Sequence, residues 1–301
     1  MATATAGRES AGELLYDTSA RTRWRLGFDR VIGWLLPLLF LVAILPIVDL
    51  VYYISSQALP TLSWTILTST NPHNEYALGV AIQSTFLIML WATAFALLMG
   101  VFGGIATAEF LSERAAGYIR MGANLLVGTP SVIVGYFGYF AFVLYFGWGL
   151  SFVAAATTLA FFMTPYIFRV TDLAYSSIPR PIREAAYGSG ARPYQYVARV
   201  AAPIALPQIL NGVFLAVAIG IGETAPIVLT TTNASIVPQS LVSPTTCLTC
   251  KVNGNYFSVG GPSLALAFQA AFLVMVVVIG LNIVVRIISY RYSKRLEGLY
   301  Q

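Results

Sequence analysis

A chain of 301 residues is long enough for two soluble domains, yet 57% of it is hydrophobic, only 10% is charged and its mean hydropathy is +0.75. That balance excludes the ordinary soluble and disordered classes and fits an integral membrane protein. Seventeen Lys and Arg against twelve Asp and Glu leave a net charge of +5, but the basic residues are gathered between apolar runs, which points to membrane topology and not to nucleic acid.

Residues 1–30 are small and polar, then basic at Arg21, Arg23, Arg25 and Arg30, and read as an N-terminal tail. The apolar run from Val31 to about Ile54 is too long for a signal-peptide core and reads as a first transmembrane helix, bent at Pro37 or Pro46. Residues 55–76 mix Pro, Thr, Asn and aromatics in a connecting loop. A second span is expected from Leu78 to Ala108, stopped by the charged turn Glu109 to Arg114. A third runs from Ile119 to Phe146 and should bend at Val127–Ser131, because Pro130 removes a backbone donor. After the tight connection Gly147-Trp148-Gly149, a fourth span covers Leu150 to Tyr175 with Pro165 and Arg169 inside it. A fifth covers Ile204 to Leu229, and a polar loop from Thr230 to Pro262 carries Cys247 and Cys250. A sixth covers Ser263 to Ile288, before a basic C-terminal tail over residues 290–301.

The fold class is therefore all-α integral membrane, with about six spans of roughly 20 residues or more. An even number puts both termini on one side. With the N-terminus in the cytoplasm, Arg8 to Arg30, Arg114, Arg120, Arg180 to Arg199 and the C-terminal cluster all fall inside, and Lys251 alone falls outside. The reading is a multi-pass protein of the inner or plasma membrane, a transmembrane domain over residues 31–289 between two cytoplasmic tails.

The stretch Pro181–Pro207 is the longest that cannot lie in lipid, and the same charge rule places it in the cytoplasm. Pro179 and Pro181 suit the first turn of a helix, Glu184 suits its N-terminal dipole, Gly188-Ser189-Gly190 ends it and Pro193 starts a second short helix. Ile182, Ala185 and Ala186 share one face, an apolar knob for a partner, with Arg183 pointing elsewhere. A short helix lying on the membrane surface fits the same pattern.

Glu184-Ala185-Ala186, then Gly190, then Val200-x-Ala202-Pro203 resembles the EAA motif of ABC importer permeases, with Val200 and Ala202 in place of the commoner Ile and Leu. The resemblance implies the type I importer permease fold. It implies too that the loop over residues 176–203 forms coupling helices docking on an ATPase subunit through Glu184, Ala185, Ala186, Gly190 and Pro203. Ala218 to Pro226 contains Gly222-Glu223-Thr224-Ala225-Pro226, similar to the G-E-T-A-P signature of phosphate importer permeases of the Pst type. Relatives with that signature carry an arginine four residues before the Glu, where this chain has Ile219, so a partner permease would supply the charge. The resemblance implies a second homologous permease, a dimer of ATP-binding subunits, an external phosphate-binding protein and surrounding lipid as partners.

An acidic residue deep in a span costs roughly 2.5–3.5 kcal/mol to insert, so Glu223 should face a cavity or a partner. Pro226 leaves the Gly222 carbonyl without its helical donor, so the backbone there can open. Arg169 is the cation suited to hold phosphate oxygens bidentately, or else it snorkels to the interface. At about 1.5 Å per residue it lies at a different depth from Glu223. Ser131, Thr129 and Thr224 offer neutral donors to an anion. The aromatic series Tyr136, Phe137, Tyr139 and Phe140 is expected to pack or anchor.

Cys247 and Cys250 suit a loop-stapling disulfide in an oxidising compartment. Two cysteines and one histidine are too few for a structural zinc site, so no metal is expected. No Gly-x-x-x-x-Gly-Lys-Ser/Thr loop occurs, so the chain should neither hydrolyse nucleotides nor carry a cofactor. The expected function is thus the permease subunit of an ATP-driven importer of inorganic phosphate or another oxyanion. The rivals are an ion-coupled carrier using Arg169, Asp172 and Glu223 as a charge relay, and a non-transporting membrane scaffold.

Overall fold

The computed structural model describes residues 20–71, 77–257 and 261–297; His73 and most of the C-terminal tail's side chains lie outside the described residues. The chain divides into two compact units, residues 1–55 and residues 56–301. The first unit is the greater part of helix α1, Ala20–Ala58, which continues through both Pro37 and Pro46. Its large apolar residues, Trp34, Leu38 and Phe40 among them, are exposed.

In the second unit a short helix α2 (Trp64–Thr68) precedes α3 (Gly79–Glu109) and α4 (Glu113–Val127). Next come α5 (Ser131–Gly138), prolonged by a π-helical stretch Tyr139–Tyr145, and α6 (Phe152–Ser176). Helix α7 (Arg180–Gly188) lies outside the spans and is followed by α8 (Pro193–Gln195), a π-helical turn Tyr196–Ala201 and α9 (Ala202–Gly222). The chain closes with α10 (Ala225–Val228), α11 (Leu248–Tyr256) and α12 (Gly261–Glu297). Among the described residues, five helices are long and apolar enough to cross a membrane, or six if the bent pair α4 and α5 counts as one.

The centre of this unit is the pairing of α3 with α6. Ala92, Ala96, Gly100 and Gly104 repeat every four residues and form one buried face of α3. A Cβ on Gly100 would stand 2.8 Å from the Ile167 Cβ, and one on Gly104 2.7 Å from the Thr171 Cβ, so the two backbones meet where α3 has no side chain. In lipid, where apolar surface gains nothing by leaving the solvent, this close approach is the source of attraction between helices. Helix α9 joins through Gly212, whose added Cβ would lie 2.5 Å from Val170 of α6.

The third span bends where Pro130 led us to expect, and the fifth has bounds other than those expected. The third is two helices meeting at 101°. Pro130 has no N–H to continue the ladder and disfavours helical geometry in the residue before it, so the bend falls at Gly128–Pro130. The fifth span starts eleven residues earlier than Ile204, because α8, the π turn and α9 run on as one helix over Pro193–Gly222. The wide turn comes just before Pro203, with the Ala202 N–H reaching back to the Val197 carbonyl. The far end stops at Gly222, since Glu223 is extended at ψ 134°.

The segment expected as a polar loop, Thr230–Pro262, is largely packed. Thr230, Thr231, Thr245, Thr246, Thr249 and Lys251 are buried, and α11 sits in a small apolar cluster with Leu78, Leu266 and Ala270. Its threonine hydroxyls donate to backbone carbonyls, to Ser84 and to Asn233, which lets so polar a stretch leave water.

Gly104→Leu should force α3 from α6 and destabilise the protein by about 1–3 kcal/mol or more. Gly117→Leu, where nothing lies within 4 Å, should not. Thermal melting of the two variants in detergent against the wild type measures the difference.

Candidate functional site

The outer helix α7 begins at Arg180 with Pro179 as its N-cap and Pro181 in the first turn. Glu184 therefore lies beyond the first turn and does not serve the dipole role expected of it. Gly190 ends the segment at φ +83°, a left-handed conformation that a Cβ would strain. The expected apolar knob is divided: Ile182 and Ala186 pack inward against the protein's own core, while Glu184 and Ala185 are exposed. Pro203 is exposed as well.

Arg183, expected to point away, is the anchor. Its Nη2 meets Glu109 Oε1 at 2.7 Å, Nε donates to the Tyr196 hydroxyl at 3.4 Å, and the guanidinium lies 5.5 Å from the Tyr196 ring centroid. The Glu109 side chain is only 3% exposed, so its carboxylate depends on this partner. The hydrogen bond to Tyr196, aided by Glu109, holds the Arg183 guanidinium above even its ordinary range, and the anchor keeps its charge at any physiological pH. One side chain thus joins α7 to the end of α3 and to the π turn that begins the next span. Glu109 closing an apolar span is the signal in the sequence; its partner 74 residues away leaves none.

A second pair ties α4 to α6. Arg120 donates through Nε and Nη2 to both Asp172 oxygens at 2.7 Å, and Nη2 also reaches Ser176 Oγ at 3.4 Å. Arg169 is exposed and bonds the Asn124 side chain at 2.8 Å. No hydrogen bond or ion pair joins Arg169 to Glu223 among the described residues. The charge relay of Arg169, Asp172 and Glu223 is not assembled, because each of the three engages a different partner.

Glu223 and Ser131, proposed separately from the sequence, come together, with the Ser131 hydroxyl beside the Glu223 carboxylate. Each stands at a helix break, Ser131 opening α5 and Glu223 closing α9. Helices α5 and α10 pack closely there, since a Cβ on Gly135 would lie 2.8 Å from the Ala225 carbonyl oxygen. The Thr224 carbonyl accepts from the N–H groups of Ile227 and Val228 and starts α10. The Thr129 hydroxyl is turned back onto the Leu125 carbonyl at 2.8 Å. Beside the break a cavity of about 380 Å³ is lined by Thr129, Ile133, Phe137, Phe161, Phe162 and Pro165, among others. Phe137 joins Phe161 at 5.6 Å between ring centroids, so part of the aromatic series packs on this wall. Cys247 and Cys250 are joined by a disulfide at the start of α11. No cluster of three metal-ligating side chains occurs among the described residues.

Several apolar spans, two of them interrupted, with a half-buried acid at one break beside a hydroxyl at the other, define a polytopic membrane permease. The chain belongs to the family described as binding-protein-dependent transport system inner membrane component, which it matches over residues 100–296. It is 30% identical over 256 residues to the phosphate transport system permease protein PstA 2 of Mycobacterium bovis, covering 84% of this chain and 85% of that protein. It is 26% identical to the phosphate transport system permease protein PstA of Yersinia pestis, covering 91% of this chain and 94% of that protein. A chain of a bacterial ABC transporter involved in import of the acidic polysaccharide alginate superposes with a TM-score of 0.61 at 14% identity, covering 90% of this chain and 99% of that one. The all-helical architecture is that of ABC importer permeases.

Arg183→Leu should leave the Glu109 carboxylate buried without its partner, at a cost of about 1–3 kcal/mol, roughly fivefold to a hundredfold in the population of docked α7. Chymotryptic cleavage after Tyr187 and Tyr194, both exposed, should quicken in the purified variant. The swap Glu109→Arg with Arg183→Glu should slow it again.

Proposed function

We propose that this chain is one of two permease subunits of an ATP-driven importer of inorganic phosphate. The observation that carries the coupling part is the presentation of Glu184 and Ala185 on the open face of a helix whose other face is held by Arg183 and Ile182. A partner ATPase would grip that face and Gly190, with Pro203 near it. Movement of α7 would then pass through the Arg183–Glu109 pair into α3, which packs along α6. A second homologous permease would complete the pathway, and an external binding protein would deliver the anion. In this arrangement both termini and α7 lie in the cytoplasm, a placement that the distribution of arginines supports.

The phosphate assignment rests on the relatives named for phosphate transport and on the Gly222 to Pro226 signature. Glu223 is the gate element: a carboxylate repels phosphate at close range, so it organises Ser131 and the break and does not bind the anion itself. Thr224 offers a hydroxyl at the same place, and Arg169 stands exposed for an anion arriving along the partner interface. The position that would carry a fixed cation in the signature is Ile219, and the second permease supplies that charge.

Two measurements test this reading. Ala185→Trp should abolish uptake and co-purification of the ATPase subunit, and normal assembly with normal transport would sink the docking role. Uptake of labelled phosphate should persist in excess sulfate, molybdate or phosphonate; a preference for one of those oxyanions would reassign the cargo.

A further inference from the structure

The carbonyl of Glu223 sits at the break between α9 and α10 and has no helical donor, because the Ile227 N–H that would serve it bonds the Thr224 carbonyl instead. The Thr249 hydroxyl donates to that carbonyl at 3.0 Å. Thr249 is 7% exposed and lies between the two bonded cysteines, 26 residues further along the chain. Its hydroxyl is also 3.1 Å from Cys247 Sγ, and the Cys250 N–H donates to the same sulfur at 2.9 Å. The turn that carries Thr249 is thus closed on itself.

That turn is fastened to the rest of the protein at several points. Thr245 donates to Ser84 Oγ at 2.7 Å and the Leu248 N–H to Thr85 Oγ1 at 2.9 Å, both on α3. Thr246 bonds Asn233 at 2.9 Å, and the buried Lys251 ammonium bonds Ser235 at 2.8 Å. The strap formed by residues 230–256 is therefore bonded to itself and to α3, and Thr249 is where it grasps the break beside Glu223.

We propose that Thr249 is a positioning residue for the Glu223 gate, held in register by the Cys247–Cys250 bridge and the bonds to Ser84 and Thr85. Its hydroxyl supplies the donor that Pro226 and the early end of α9 deny the Glu223 backbone. In doing so it sets the angle from which the Glu223 carboxylate meets Ser131. A strap bonded both to α3 and to the break also links the gate to the helix that receives α7 at its other end. This role rests on the reading of Glu223 as the gate.

The test compares Thr249→Val, which keeps the shape and loses the donor, with Thr249→Ser, which keeps the donor. Amide hydrogen exchange over residues 220–229, followed in the full-length protein in nanodiscs without substrate, should quicken roughly tenfold in the Val variant and return near the wild-type rate in the Ser variant. Maximal phosphate uptake in cells should fall at least about threefold for Val, with KM unchanged, and recover for Ser. The double variant Cys247→Ser, Cys250→Ser should shift exchange in the same direction as Val. Unchanged exchange in Thr249→Val, or a Ser variant as impaired as Val, overturns the proposal. A wild-type protein that fails to import phosphate while the exchange pattern holds would refute the cargo and leave the strap standing.

Discussion

A helix interrupted inside a bilayer frees carbonyl and N–H groups that lipid cannot satisfy, each at a cost of several kcal/mol. The second unit depends on how this chain meets that constraint at two places, Gly128–Pro130 and Glu223–Thr224. The first is largely exposed and closes on itself, the Gly128 N–H donating to the Asn124 carbonyl and the Thr129 N–H to that of Leu126, while the second lies half-buried against protein. Ser131 turns to the Glu223 carboxylate, Thr249 to the Glu223 carbonyl, and α10 is laid close along α5 at Gly135. At Glu223–Thr224 the irregular backbone is tolerated because the polar segment after α10 folds back over it.

The same economy governs the charges. Glu109 at the end of α3 pairs with Arg183 of α7, and Arg120 of α4 with Asp172 of α6, both at 2.7 Å. Neither pair contributes much as a surface salt bridge would, but each fixes a register. Arg183 sets which side of α7 faces outward, and Arg120 sets where α4 crosses α6. With Glu109 almost fully covered, loss of its partner is the costly event, so the pair favours one arrangement of the outer helix strongly. Movement applied to α7 is carried into α3 by a charge-assisted contact, and on to α6 through backbones that touch at Gly100 and Gly104.

Much of this is legible in the sequence. The spans follow from runs of apolar residues, the bend at Pro130 from a missing donor, and the opening after Gly222 from Pro226. Gly190 reads as the end of the outer helix and has the positive φ that such an end requires. Ser131 and Glu223 both stand out, though from different spans and with nothing to join them. What misleads is facing: helical spacing groups Ile182, Ala185 and Ala186 on one side, but it carries no information on whether that side meets the protein or a partner. The threonines of residues 230–249 read as loop because polarity alone does not reveal that the groups find hydrogen-bond partners when folded.

Composition and order, then, determined that this is a helical membrane protein with a charged outer segment and two weak points in its spans, because lipid imposes its rules on each segment locally. Tertiary structure decided which side chains occupy those weak points. Arg183 finds Glu109 across 74 residues, Arg120 finds Asp172 across 52 and Thr249 finds Glu223 across 26. Such pairings depend on the close approach of α3, α6 and α9 at their glycines. No local pattern encodes that approach, since a glycine reads alike whether a backbone or open space lies beyond it.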